Sequence, residues 1–294
     1  MLIARVLAEP VPSEASLQSL EAALSAAGQP FAEAMMLEHC GEVLEISIPE
    51  GTRDVVAPLV EEHLAPSAAL FADDVIEIPR LVVSDMDSTM ITVECIDELA
   101  DYAGIKPQIA EITERAMRGE LDFAGALHER VALLKGLPDS AIDQCRVERV
   151  RVMPGAKALV RTMKARGART LLVSGGFTRF TGPIAAEIGF DAHVANVLEI
   201  ADGALLGTVE TPIVDAARKR AELDAAIAQG VERALTLAVG DGANDIPMIQ
   251  GAGLGVAYHA KPKTREAAAA EIVHGDLSVL LYAQGIASEH WVVA

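Results

Sequence analysis

From Ile78 onward the chain alternates short, nearly all-apolar runs with amphipathic stretches. LVVSD (81–85), RTLLVSGG (169–176), LTLAVGDG (235–242) and GLGVAY (253–258) are separated by segments such as KALVRTMKARG (157–167) and DAARKRAELDAAIAQG (215–230). Strands without polar alternation must be covered on both faces, and the helical stretches between them supply the cover, so the pattern predicts an α/β fold with a Rossmann-like parallel sheet. Residues 94–150, between the first two strands, hold no β-rich run; PQIAEITERAMRGE and FAGALHERVALLKG are amphipathic at helical spacing, which predicts a helical cap inserted over the sheet edge. HVANVLEIADGALLGTV (193–209) reads as a hairpin turning at Asp202-Gly203. The alanine tract at 267–270 reads as surface helix.

The first 64 residues have a different rhythm. LIARVLA reads as a strand, SEASLQSLEAALSAAG as a helix capped by Ser13 and stopped by Gly28, AEAMMLEHCGEVLEISI as two strands, and TRDVVAPLVEEHL as a second helix. Two helices over an antiparallel sheet make a small α+β module over 1–70, and its pattern resembles an ACT-type regulatory module. Its expected roles are to bind a small feedback ligand, to join two chains as a homodimer, or only to stabilise the rest. Residues 65–80, with two prolines, read as a linker running into a second, larger domain over 78–294.

Half of the residues are apolar, enough for a large core, yet no run approaches the roughly 18 to 20 apolar residues that span a bilayer. The N-terminus lacks a basic stretch followed by a long apolar one, so a cytoplasmic chain is expected. Cys40, Cys95 and Cys145 are scattered and odd in number, against a disulfide framework or a zinc site. A net charge of -19 argues against nucleic acid and membrane surfaces as partners. Residues 1–80 hold 14 acids and only three basic residues, so an anionic ligand is expected to bind in the later part. No HxH, HExxH or GxxxxGK[ST] pattern occurs, and GAGLG at 251–255 misses the dinucleotide spacing.

In an open parallel sheet, ligands bind at the carboxyl ends of the strands. Three strands end there in polar, glycine-rich loops: SDMDST, SGGF and GDGAND. Each alone is an ordinary turn; their succession at strand ends is specific. Together with Lys219 in RKRAEL they resemble the four motifs of the haloacid dehalogenase superfamily of aspartate-nucleophile phosphatases. The stretches DSTMITVECIDELA and ITERAMRGELDFAGALHERVALLKGL resemble the phosphoserine-specific branch of that superfamily. The similarity runs over about 81–281 and leaves the first 70 residues outside.

The resemblance implies that Asp85 attacks phosphorus and forms an aspartyl phosphate, while Asp87 protonates the leaving oxygen and then takes a proton from water. A carboxylate approaching a phosphate dianion needs a cation between them, and Mg²⁺ suits an all-oxygen set. The implied ligands are the Asp85 carboxylate, the Asp87 backbone carbonyl and the Asp241 carboxylate, with Asp245 orienting a water. Ser174 and the Gly175 amide, placed at the start of a helix, would hold phosphate oxygens together with Lys219, and Asn244 would donate a hydrogen bond near Asp241. Without the resemblance Lys219, between Arg218 and Arg220, reads as an exposed helix lysine. In the cap, Glu94 would meet the substrate ammonium and Arg130 its carboxylate, with Met117 and Phe123 closing as apolar lid residues.

The implied activity is Mg²⁺-dependent hydrolysis of O-phosphoserine; the runner-up is a phosphatase or phosphotransferase acting on another small phosphomonoester. A phospho-accepting signalling domain would have to keep its aspartyl phosphate, and Asp87 is placed to remove it. An amino-acid sensor with an inactive phosphatase part is disfavoured because all motif residues are present.

Overall fold

The structure is a computed structural model that describes residues 1–8, 11–37, 40, 43–73 and 76–293. In the first module β1 (Leu2–Leu7) is followed by α1 (Glu14–Ala26), β2 (Glu33–Met36), β3 (Val43–Ile48), α2 (Arg53–Leu64) and β4 (Ala68–Ala72). Ser13 starts α1 by accepting a hydrogen bond from Ser16 N at 3.1 Å. Leu20 and Leu24, four residues apart, then share a buried face, and Val56 and Val60 do the same on α2. The strands pair antiparallel in the order β2-β3-β1-β4; the connection between β2 and β3 falls largely outside the described residues.

The second part begins with β5 (Leu81–Ser84). The cap helices follow: α3 (Cys95–Tyr102), α4 (Lys106–Met117), α5 (Phe123–Ala132) and α6 (Ser140–Arg149). The chain re-enters the core with α7 (Ala156–Ala165), β6 (Arg169–Phe177), α8 (Thr178–Ile188) and β7 (Ala192–Asn196), then forms the hairpin β8 (Leu198–Ala201) and β9 (Ala204–Val209). It continues through α9 (Ala216–Ala228), β10 (Thr236–Gly240), α10 (Ile246–Gly251), β11 (Leu254–Tyr258), α11 (Pro262–Ala267), β12 (Ala270–Ile272) and α12 (Val279–Ala283). Strands β12-β11-β10-β5-β6-β7 are parallel, and alternate residues explain their apolar sequences. Leu81 and Val83 pack with Leu223 and Met248 on one face, whereas Val82 points into the large cluster on the other.

Four expectations are corrected. The 65–80 stretch is not simply a linker, because β4 lies within it and pairs antiparallel with both β1 and β12, fusing the two halves into one ten-stranded sheet. The module's sheet is therefore buried on both sides: Leu2, Ala4, Val6, Ala69 and Phe71 face its own helices, while Ile3, Leu7, Ala68 and Leu70 join the main core. The hairpin is confined to 198–209, since 192–196 is the edge strand β7; its turn at Asp202 and Gly203 has φ of 51° and 75°. That hairpin docks on the cap, where Gly136 N donates to Leu205 O, so the cap is not helical alone. Finally, Ala268 and Ala270 are fully buried and lead into β12, so the alanine tract serves close packing rather than a surface helix. Among the described residues no helix is long and apolar enough to cross a membrane.

Candidate active site

The first loop leaves β5 at Asp85, whose N–H donates to Val239 O at 2.9 Å and so extends the pairing with β10 by one step. The residue is 4% exposed. Lys219, on α9, is completely buried, with Nζ 2.6 Å from Asp85 Oδ1 and 2.7 Å from Asp245 Oδ1. The exposed-lysine alternative is thereby excluded. Asp215 caps α9 by accepting from Arg218 N at 2.8 Å, and this sets the turn that sends residue 219 inward while Arg218 and Arg220 bond Glu222 and Asp224 outside. Burial alone pulls the lysine pKa down, but Asp245 and Asp85 outweigh it and hold the ammonium charged.

The third loop follows β10. Asp245 Oδ2 accepts from Gly242 N at 3.0 Å, so both its oxygens are engaged, one in the loop and one with Lys219. A Cβ at Gly240 would land on the Asp245 carboxyl group, which is why the strand must end in glycine here. Asp241 accepts from Thr89 Oγ1 at 3.1 Å; Thr89 is fully buried and was missed from the sequence, although a hydroxyl four residues after Asp85 is the available signal. Asn244 lines the same cavity with its Oδ1 folded over Gly242, and the structure gives it no hydrogen bond among the described residues.

Asp85, Asp241 and Asp245 each offer an oxygen within 4.8 Å of one another. Three carboxylates face one ammonium, leaving two formal negative charges without a partner. Asp85 Oδ1 touches Lys219 off axis and receives no directed hydrogen bond. Burial and Asp245 push the Asp85 carboxyl up, against Lys219, and burial, Asp245 and Glu94 push Asp241 up to about 6. This buried excess of carboxylate oxygen fits a hard divalent cation such as Mg²⁺.

Asp87 is turned away from that cluster. Its Oδ1 accepts from Cys95 N at 3.3 Å, at the start of α3, and burial with Glu94 pushes its pKa up to about 7. Its carboxyl is thus held in a different direction from Asp85, although its charge adds to the upward push on Asp85.

The second loop departs from expectation. The 174–176 stretch is extended, with a register shift between Val173 and Phe177, and α8 begins only at Thr178; Gly175 is therefore held by a bulge, not by a helix start. Ser174 is fully buried and accepts from Gly176 N at 2.8 Å. Asn196, also missed from the sequence, fixes the loop by donating to Gly175 O at 2.8 Å and accepting from Val214 N at 2.7 Å.

These loops floor a cavity of about 560 Å³ roofed by the cap. Phe123, Leu127 and Arg130 line it from one face of α5, and a Cβ at Gly175 would stand 3.2 Å from the Phe123 ring. Arg130 donates to Ala126 O and has no ion-pair partner among the described residues; burial lowers its pKa against the pull of Asp97, Glu94 and Asp87. Glu94 accepts from Ser88 Oγ at 2.6 Å on the opposite wall. Met117 ends α4, and its side chain lies outside the described residues.

The haloacid dehalogenase-like hydrolase family model matches residues 82–250, from the first strand to the end of the third loop's helix. The chain belongs to that family. Within it, its relatives are phosphoserine phosphatases. That of Streptomyces coelicolor is 50% identical over 211 residues, covering 71% of this chain and 51% of the relative, so this chain spans about half of that protein's length. That of Polaromonas is 49% identical over 208 residues, covering 69% of this chain and 88% of the relative. A haloacid dehalogenase family hydrolase from Salmonella enterica serovar Typhi superimposes with a TM-score of 0.81 at 30% identity, over 96% of this chain and 97% of its own.

Proposed function

We propose that the chain hydrolyses O-phospho-L-serine to serine and phosphate, the last step of serine biosynthesis, through an aspartyl phosphate at Asp85. The observation that carries it is the division of one capped cavity between a buried carboxylate–ammonium cluster at the floor and, above it, the Arg130 guanidinium of the cap and the Glu94 carboxylate, neither of which has an ion-pair partner among the described residues. A phosphate fits the first. An α-carboxylate and an ammonium fit Arg130 and Glu94.

Asp85 attacks phosphorus, the ester P–O bond breaks, and the serine oxygen takes the proton of Asp87, an acid whose pKa of about 7 keeps a protonated fraction at neutral pH. Asp87 then accepts a proton from the water that opens the acyl phosphate, and Asp85 is restored. Lys219 holds Asp85 in place and offsets charge on the phosphoryl group; the amides and hydroxyl of the 174–176 loop bind its oxygens. Mg²⁺, held by the carboxylates of Asp85 and Asp241 with Asp245 beside them and the Asp87 carbonyl as a further donor, would neutralise the two anions as they meet. Phe123 and Met117 exclude water when the cap closes.

Residues 1–70 are assigned as an ACT-like module that regulates or pairs chains as a homodimer, and residues 78–294 as the phosphatase domain with its cap at about 94–150. Three buried free cysteines suit a reducing cytoplasm. The deciding experiment is phosphate release from O-phosphoserine with Mg²⁺ and with chelator. Turnover that needs the metal and exceeds that on phosphomonoesters lacking amine and carboxylate is expected; faster turnover of the latter would move the assignment to another small phosphomonoester.

A further inference from the structure

One cation in the cavity has no role so far. Lys261 lines it, is exposed, and forms no ion pair among the described residues. The other ionisable groups of the lining are Asp85, Asp87, Glu94, Asp97, Asp241 and Arg130. With Arg130 at the cap and Lys219 sealed beneath Asp85, Lys261 is the exposed cation left to meet an incoming dianion, and α11 packs beside the third loop at 243–245 where the phosphate end lies.

The backbone that carries Lys261 is fixed. His259 adopts φ of 45°, its N–H donates to Ile272 O at 2.9 Å, its ring bonds Gly275 O at 2.9 Å, and it stacks on buried Tyr258. Lys261 then caps α11, its carbonyl accepting from Thr264 N and Arg265 N. At its other end α11 meets the first module: Arg53, which opens α2, reaches the carbonyls of Arg265 and Glu266 at 3.5 Å. Arg53 Nε is buried without a partner, and a cavity of about 460 Å³ between α2 and α11 leaves this seam loosely packed. A contact with the N-terminal module at Arg265 and Glu266 therefore lies only four and five positions from a side chain in the catalytic cavity.

We propose that Lys261 is a substrate-binding residue for the phosphate end of the ligand, and that Arg53, acting through α11, is its positioning residue. This rests on the phosphatase assignment but is separable from it. In the full chain with Mg²⁺, Lys261→Ala should raise KM for O-phosphoserine about three- to tenfold, the range of a partly solvated ion pair, with a much smaller fall in kcat. Lys261→Arg should recover most of the loss, and raising ionic strength should narrow the gap between wild type and Lys261→Ala.

Arg53→Ala should raise KM by about two- to threefold, and the double variant should be no worse than Lys261→Ala, because sites acting through one element are non-additive. Arg53→Lys, with thermal melting, separates lost contact from lost folding. An unchanged KM in folded Lys261→Ala, or a Lys261→Arg as impaired as the alanine variant, overturns the first claim; multiplying effects in the double variant overturn the second. Calorimetric binding of inorganic phosphate to Asp85→Asn, with and without Lys261→Ala, decides Lys261 even if phosphoserine is not the substrate. Equal affinity in that pair sinks it.

Discussion

The first module and the hydrolase-family part share one sheet, yet they bury different things. Among the described residues, every polar or charged residue buried as a whole lies at Ser84 or later, whereas the residues buried in the module's own cluster are apolar, among them Leu2, Leu20, Leu24, Ile46 and Ile48. Burying an ion costs several kcal/mol unless a partner offsets it, so a chain that encloses Asp85, Lys219 and Asp245 together has a use for them. An apolar cluster yields stability and carries no chemical signature. The contrast explains why a reaction can be assigned to one half and only an architecture to the other.

The strongest way to break the contrast is Asp85→Asn. A neutral amide cannot attack phosphorus, and kcat is expected to fall by about 10⁴-fold or more, with the fold retained in circular dichroism. Residual activity near wild type would mean the buried acid is structural. Lys219→Met comes next. It leaves two buried carboxylates facing each other, so urea unfolding without metal should show a loss of about 3–5 kcal/mol, and kcat should drop about 10²- to 10³-fold as charge offset at the phosphoryl group disappears. A stable, fully active Met variant would empty the contrast of meaning. Arg130→Ala acts at the roof, where the charge is only partly buried: KM for phosphoserine should rise roughly 10- to 100-fold, while a phosphomonoester without a carboxylate should be unaffected. Equal losses on both substrates would make Arg130 a cap-packing residue.

What was legible in the sequence follows the same division. The parallel strands announced themselves because double burial removes polar alternation, and the loops after them because three polar strand ends must meet at one sheet edge. β4 was hidden: AALFA sits between Pro66 and Pro79, where turn signals dominate, and only pairing with β1 and β12 shows it as a strand. Local propensity also misled at 267–270, where alanine's helix preference gave way to close packing beside β11. The bulge at 174–176 and the inward turn of Lys219 depend on contacts from Asn196 and Asp245, residues 20 or more positions away, which spacing cannot reveal. Thr89 and Asn196 support the loops from behind, and their residue types are common in turns everywhere.

The gentlest perturbation tests the other side of the comparison. Leu24 is fully buried on α1 against the module's own sheet and touches no group assigned to chemistry. Leu24→Ala should cost about 2–5 kcal/mol in urea unfolding, the transfer and cavity terms of a buried leucine. At a temperature where the variant is folded, kcat should stay within about twofold of wild type, since the buried ions are anchored by β5, α9 and the third loop, none of which packs on that cluster. KM should move no further than it does in Arg53→Ala, because α11 is the module's route to the cavity. If kcat instead falls in step with stability, the apolar half also sets the geometry of Asp85, and β4 is the element that transmits it, being paired to both halves of the sheet.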